Sequence, residues 1–218
     1  MGLLLAEVEL SGPAGRLEGV LHHDPDAVPG RLAVVCHPHP LYGGTMHNKV
    51  AFRAAEALTG LGMATLRFNF RGVNRSEGVH DGGRGECDDL RAALEFLHRL
   101  FGPRPVLVAG FSFGAAMALL VAPGEADVDS MVAVAPPVRD YDYPELRDCP
   151  KPKAVVQGTA DVVCPPELLA GEFPGWAEPR RLFTVEGATH FFDRKLGELK
   201  SAVAEAAAWA VQARKGIA

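Results

Sequence analysis

Residues 105–122 read PVLVAGFSFGAAMALLVA, and this stretch decides the fold. An apolar run of strand length, PVLVAGFS, passes into FGAAMALLVA, a helical run, with no connecting loop beyond the glycines. Gly110 and Gly114 stand two before and two after Ser112, where small residues let strand and helix pass close and let the central residue take a strained turn. Such a turn lifts the Ser112 hydroxyl clear of a sheet and aims a helix N-terminus at whatever reacts there. A chain with 24 glycines can produce G-x-S-x-G by chance. The strand-to-helix context is what gives the motif weight.

Reading outward, strand runs alternate with helical ones. Residues 6–23 form two short strands around a Gly/Pro turn, an expected hairpin at a sheet edge. LAVVCHP (32–38) is continuously apolar, as for a strand covered on both faces. Asn48 can cap a helix through about Leu61. MATLRFNF (63–70) is strand, Arg71 to Gly85 a polar Gly-rich loop, and Glu86 to Phe101 a helix burying Leu90, Ala93, Leu94, Leu97 and Phe101. Strands follow at 131–137, 153–159 and 180–187. The last helix is expected from near Phe191, on a stripe of Phe192, Leu196, Leu199, Val203, Ala206 and Ala210 at helical spacing. This alternation predicts an α/β fold: a mainly parallel sheet with helices on both faces. No linker, repeat or low-complexity tract divides it, so residues 1–218 are expected to form a single domain.

Composition narrows the function. The 218 residues are 48% hydrophobic and 22% charged, with a net charge of -5, which fits a folded chain without a basic footprint for nucleic acid or an anionic membrane. The start lacks the basic region and long apolar stretch of a signal peptide, so a cytoplasmic location is expected. Cys36, Cys87, Cys149 and Cys164 show neither CxxC pairing nor metal-ligand spacing and read as free thiols. Arg outnumbers Lys 16 to 6, which hints at a GC-rich bacterial genome.

A serine hydroxyl is a poor nucleophile until a neighbouring base takes its proton, so a histidine and an orienting carboxylate are required. Asp161 follows the strand KAVVQGT, and His190 follows RRLFTVEG. In an open parallel sheet the loops leaving the carboxyl ends of strands share one rim, where Ser112, Asp161 and His190 would converge. The order Ser, Asp, His is the one expected with a nucleophile elbow.

Five segments, CHPHPLYGGTMHNKV (36–50), RFNFRG (67–72), GECDDLRAA (85–93), GFSFGAA (110–116) and GATHFFDRKL (187–196), together resemble the α/β-hydrolase superfamily. More narrowly, the chain is similar to its small, lidless, dienelactone-hydrolase-like bacterial hydrolases. The resemblance implies an eight-stranded sheet with one antiparallel strand near the start. It makes Ser112 the nucleophile, His190 the general acid/base and Asp161 the residue that orients it. Backbone N–H groups must meet the charge of a tetrahedral intermediate. Phe113 is the first expected donor; His39 is the second, with Leu41 as fallback, because Pro38 and Pro40 have no N–H.

Leu41, Phe111 and Phe191 are expected to line a substrate pocket. His37, His39 and His47 are not expected to bind a metal, since i, i+2 histidines on extended chain point to opposite sides. Asp88 and Asp89 read as helix first-turn acids, and Arg71 and Arg75 as anchors of their loop. Only about fifteen residues separate MVAVAPP from KAVVQGT, too few for a substantial cap. The expectation is a serine hydrolase of small carboxylic esters, a monomer or homodimer that uses no metal or organic cofactor. The same triad serves a thioesterase or a peptidase equally, and a non-catalytic binding protein on this scaffold is the reading from another class.

Overall fold

Side-chain alternation along the inner strands sets up two packed layers. In β3 (Leu32–Cys36) and β5 (Val106–Phe111), Leu32, Val34, Cys36, Val106 and Val108 join one core cluster, while Ala33, Val35, Leu107, Ala109 and Phe111 join the other. A period of two with both faces apolar is what a doubly covered strand requires. The computed structural model describes residues 4–216; the reading of the first residues against a leader lies partly outside them.

β1 (Leu4–Gly12) and β2 (Gly15–His23) form the expected hairpin at the edge. β4 (Ala64–Phe68), β6 (Val128–Val134), β7 (Lys153–Gly158) and β8 (Arg180–Val185) complete an eight-stranded sheet of order β1-β2-β4-β3-β5-β6-β7-β8. β2 runs antiparallel to both neighbours, and the pairs from β4 to β8 are parallel. It is the one antiparallel strand, as the resemblance implied.

Helices α1 (Lys49–Gly60) and α5 (Leu196–Lys215) cover one face, through Val50, Ala54, Leu58, Leu199, Val203 and Ala206. α2 (Arg84–Phe101) and α3 (Phe113–Val121) cover the other, through Leu90, Leu97, Met117 and Leu119. Each fully buried Leu contributes roughly 1.5–3 kcal/mol relative to an exposed one. Asn48 caps α1, its side chain accepting the Val50 N–H at 2.9 Å. α2 starts two residues before the expected Glu86 because the Glu86 carboxylate accepts the Gly83 N–H at 2.7 Å, one half of a capping box.

One boundary differs substantially. The last helix starts at Leu196 rather than near Phe191, because Phe192 and Arg194 both hold positive φ, 53° and 61°, which α-helix cannot contain. Phe192 is buried all the same, anchoring the turn that precedes the helix. Between β6 and β7 the chain forms only a short 3-10 turn, Pro144–Arg147, and no cap. α4 (Pro166–Glu172) follows the β7 loop. Among the described residues no helix is long and apolar enough to cross a membrane.

Candidate active site

The elbow begins in backbone geometry. Ser112 sits between β5 and α3 at φ 53°, ψ -118°, a conformation that costs a non-glycine residue of order 1–3 kcal/mol. Its neighbours must be glycine for lack of room: a Cβ on Gly110 would lie 2.1 Å from Gly114 O, and one on Gly114 2.3 Å from Cys36 O. The Ser112 N–H donates to Val134 O at 2.9 Å, tying the turn to β6.

Loops from two other strands arrive at the same rim. Asp161, after β7, is buried, and its Oδ1 accepts the Val163 and Cys164 N–H groups at 2.9 and 2.8 Å. Its Oδ2 lies 2.9 Å from His190 Nδ1 and 3.3 Å from Gln157 Nε2. With one carboxylate oxygen saturated by backbone, the other is aimed at the ring. His190, after β8, is buried too, and its Nε2 lies 3.2 Å from Ser112 Oγ. A carboxylate beside Nδ1 selects the tautomer with hydrogen on that nitrogen, leaving Nε2 to accept from the hydroxyl. Phe111 lies against one side of the ring at 4.9 Å between centroids, and Phe191 meets it edge-on at 5.1 Å.

The expected oxyanion donors lie on two segments, the one that follows Ser112 and the one that follows β3. The Phe113 amide opens α3, where N–H groups lack intrahelical acceptors. His39 begins a 3-10 turn at Pro40–Tyr42, and its ring packs 4.9 Å from that of Phe113. The fallback is engaged, since the Leu41 N–H donates to His39 Nδ1 at 3.2 Å. Burial, and then the nearby His80, hold the His39 imidazole below its ordinary pKa, which favours its neutral form as that acceptor.

The pocket residues divide. Leu41 and Phe191 are open to solvent on the rim, at 69% and 45% exposure. Phe111 is wholly buried, so it is corrected from pocket wall to support of the imidazole. An alternating strand directs it inward, beneath the ring.

Residues set aside as structural have fixed partners. Asp89 is buried and accepts the Arg71 N–H, Nε and a terminal nitrogen at 3.0, 3.0 and 2.8 Å. Asp88 pairs with Arg91 at the surface. Arg75 pairs with Glu18 and Glu7. His37 is fully buried; its Nδ1 lies 2.6 Å from Pro38 O, and Nε2 accepts the Phe70 N–H at 3.0 Å. Asp193, just before the last helix, forms an ion pair with Lys49.

Two neighbours of the relay were not singled out in the sequence. Gln157, on β7, holds Asp161 Oδ2 and Cys164 O. Cys164 is buried in the same corner, its thiol pushed up to about 12, first by burial and then by Asp161. The available signal was its place three residues beyond Asp161 in GTADVVCPP.

A rim that joins a strained serine after β5 to an imidazole after β8 and a buried carboxylate after β7 defines an α/β serine hydrolase. The family model described as serine aminopeptidase, S33, matches residues 31–166, and the chain belongs to that family within the α/β-hydrolase superfamily. A lidless α/β serine hydrolase from Xanthomonas campestris is 37% identical, covering 93% of each chain with a TM-score of 0.85. An α/β serine hydrolase homologue from Coxiella burnetii is 36% identical over 92% of this chain and 96% of its own, TM-score 0.84. An uncharacterized protein of Rickettsia prowazekii is 34% identical over 210 residues, 91% of this chain and 87% of the relative.

Proposed function

We propose that the chain, as one domain, hydrolyses small carboxylic esters through an acyl-enzyme on Ser112. The observation that carries this reading is the relay Asp161 Oδ2, His190 Nδ1, His190 Nε2, Ser112 Oγ, with links of 2.9 and 3.2 Å. His190 Nε2 takes the Ser112 proton as Oγ attacks the ester carbonyl, and the Phe113 and His39 N–H groups receive the oxyanion, typically worth ~3 kcal/mol per donor. His190 returns the proton to the leaving alcohol, then removes one from the water that splits the acyl-enzyme. Asp161 stays ionised and stabilises the imidazolium between these transfers. This chemistry requires no metal or organic cofactor.

The substrate class follows from the open rim. With fifteen residues where a cap would stand, a long acyl chain has no roof, and its outer methylenes remain in water instead of contributing ~0.8 kcal/mol each. Short acyl chains are therefore expected. The four free cysteines suit a reducing compartment, and we place the enzyme in the cytoplasm.

A fluorophosphonate probe combined with a substrate panel tests the reading. The folded protein should label on Ser112, Ser112→Ala should not, and kcat/KM should be higher on acetyl and butyryl esters than on long-chain esters. Absence of labelling would favour a binding protein, and faster turnover of thioesters or peptides would move the substrate class.

A further inference from the structure

The corner beside the relay holds more ligand chemistry than hydrolysis uses. One ligand atom each from Asp161, Cys164 and His190 lies within 4.8 Å of the others, and all three residues are buried. Oxygen, sulfur and nitrogen in one corner form a mixed donor set that suits Zn2+ or Cd2+, because thiolate and imidazole favour borderline and soft cations over Mg2+ or Ca2+. Zinc bonds of ~2.0–2.3 Å place tetrahedral ligands roughly 3.5 Å apart, so an inward movement of about 1 Å closes the set. A second observation points to the same corner. Gln157 donates to Asp161 Oδ2 and Cys164 O, yet its Oε1 is buried without a hydrogen-bond partner. That oxygen can accept from a water completing the metal's coordination.

We propose that Asp161, Cys164 and His190 form an inhibitory site for a thiophilic divalent cation, closed to substrate while the metal is bound. On binding, the Cys164 S–H bond breaks, a metal–sulfur bond forms and the proton leaves to solvent. The neutral His190 ring gives the metal one lone pair, and coordination at Nδ1 moves the hydrogen of that nitrogen to Nε2. No electron changes hands. The site's existence is independent of the esterase reading, whereas inhibition rests on it.

The test combines metal binding with turnover on the intact chain. Equilibrium dialysis with buffered Zn2+, and the ultraviolet thiolate-to-metal absorption with Cd2+, should give one ion per wild-type chain. Cys164→Ala and Cys164→Ser should each weaken binding roughly 100-fold, since even outer-shell partners of metal ligands are worth about 10–100-fold. Cys87→Ala, at a remote thiol, should leave it unchanged. Zn2+ should inhibit ester hydrolysis at the occupancy dialysis measures, reversed by chelator, with each Cys164 variant shifted by the same factor relative to its own metal-free rate. Equal binding by wild type and the Cys164 variants, no binding at all, or binding without inhibition in an active enzyme overturns the proposal. If no ester is turned over without metal yet the binding data follow expectation, the esterase reading fails and the site stands.

Discussion

Two regions each bury a histidine and a carboxylate, and they differ in what the imidazole is left to do. On the hairpin flank, Glu18 accepts from Asn69 Nδ2, the Arg75 N–H and Arg75 Nε, while His22 accepts from Arg67 Nε at 2.9 Å. On the rim, Asp161 is equally saturated, but His190 carries its second nitrogen to a strained hydroxyl at the edge of solvent. Burial of polar groups is thus common to both, and fixed partners offset most of its cost, although His22 Nδ1 is buried without a hydrogen-bond partner among the described residues. What separates scaffold from candidate site is one ring nitrogen facing a strained serine hydroxyl.

The sharpest way to break that contrast is to remove the rim pair. Ser112→Ala or His190→Ala should each lower kcat on a short-chain ester by several orders of magnitude. The double variant should be scarcely worse than either, because the two act as a unit. Stability should change little beside this, since His190 and Ser112 are linked through one 3.2 Å contact. Additive losses in steady-state kinetics would mean that the two side chains do not share a step.

The converse experiment is on the structural side. Asp89→Ala leaves the Arg71 guanidinium and the Arg71 backbone N–H, which both donate to that carboxylate, without their buried partner, a change that typically costs ~3–5 kcal/mol. Urea denaturation should register it, while kcat measured well below the transition stays near wild type. A large loss of kcat with stability intact would place Asp89 in the chemistry after all.

Legibility in the sequence follows the same divide. The strand–glycine–serine–helix junction, the apolar inner strands and the two loop residues beyond β7 and β8 are local signals, and each can be read from consecutive residues. What escaped depends on contacts across the chain. The start of α5 is delayed by positive φ at Phe192 and Arg194, a conformation set by the buried Phe192 ring and invisible in a stripe that continues at helical spacing. Phe111 looked like a pocket residue because it adjoins Ser112, whereas strand alternation turns it into the core. Cys164 meets His190 only through the packing of the β7 and β8 loops, so its place three residues beyond Asp161 was the one local signal, and it does not reveal the histidine.

Acid titration gives the smallest expected effect, and the two buried imidazoles His22 and His37 contribute to it with the same sign. Burial first, and then the Arg67 guanidinium, push His22 down to about 4 from an ordinary 6.5. Burial pushes His37 down to about 4 as well, against the Pro38 carbonyl that partly restores it. With folded values below unfolded ones, the unfolded chain binds more protons between pH 6.5 and 4, so stability rises with pH there. Their contribution is complete above about 6.5 and is lost as pH falls towards 4, at up to roughly 1.4 kcal/mol per pH unit for each histidine. Glu18 adds a separate, lower window. Burial raises its carboxyl, but the bonds from Arg75 and Asn69 outweigh this and hold it below its usual 4.5, so its share persists above that value and fades beneath it. His22→Gln keeps a carbonyl acceptor for Arg67 Nε and removes one titrating ring. The slope of unfolding free energy between pH 5 and 6 should then fall, by up to roughly 1.4 kcal/mol per pH unit, with the loss below pH 4.5 retained. An unchanged slope in denaturant titrations at half-unit pH steps would show that His22 is already protonated in the folded chain, and that the flank's imidazole is not held neutral as its partners require.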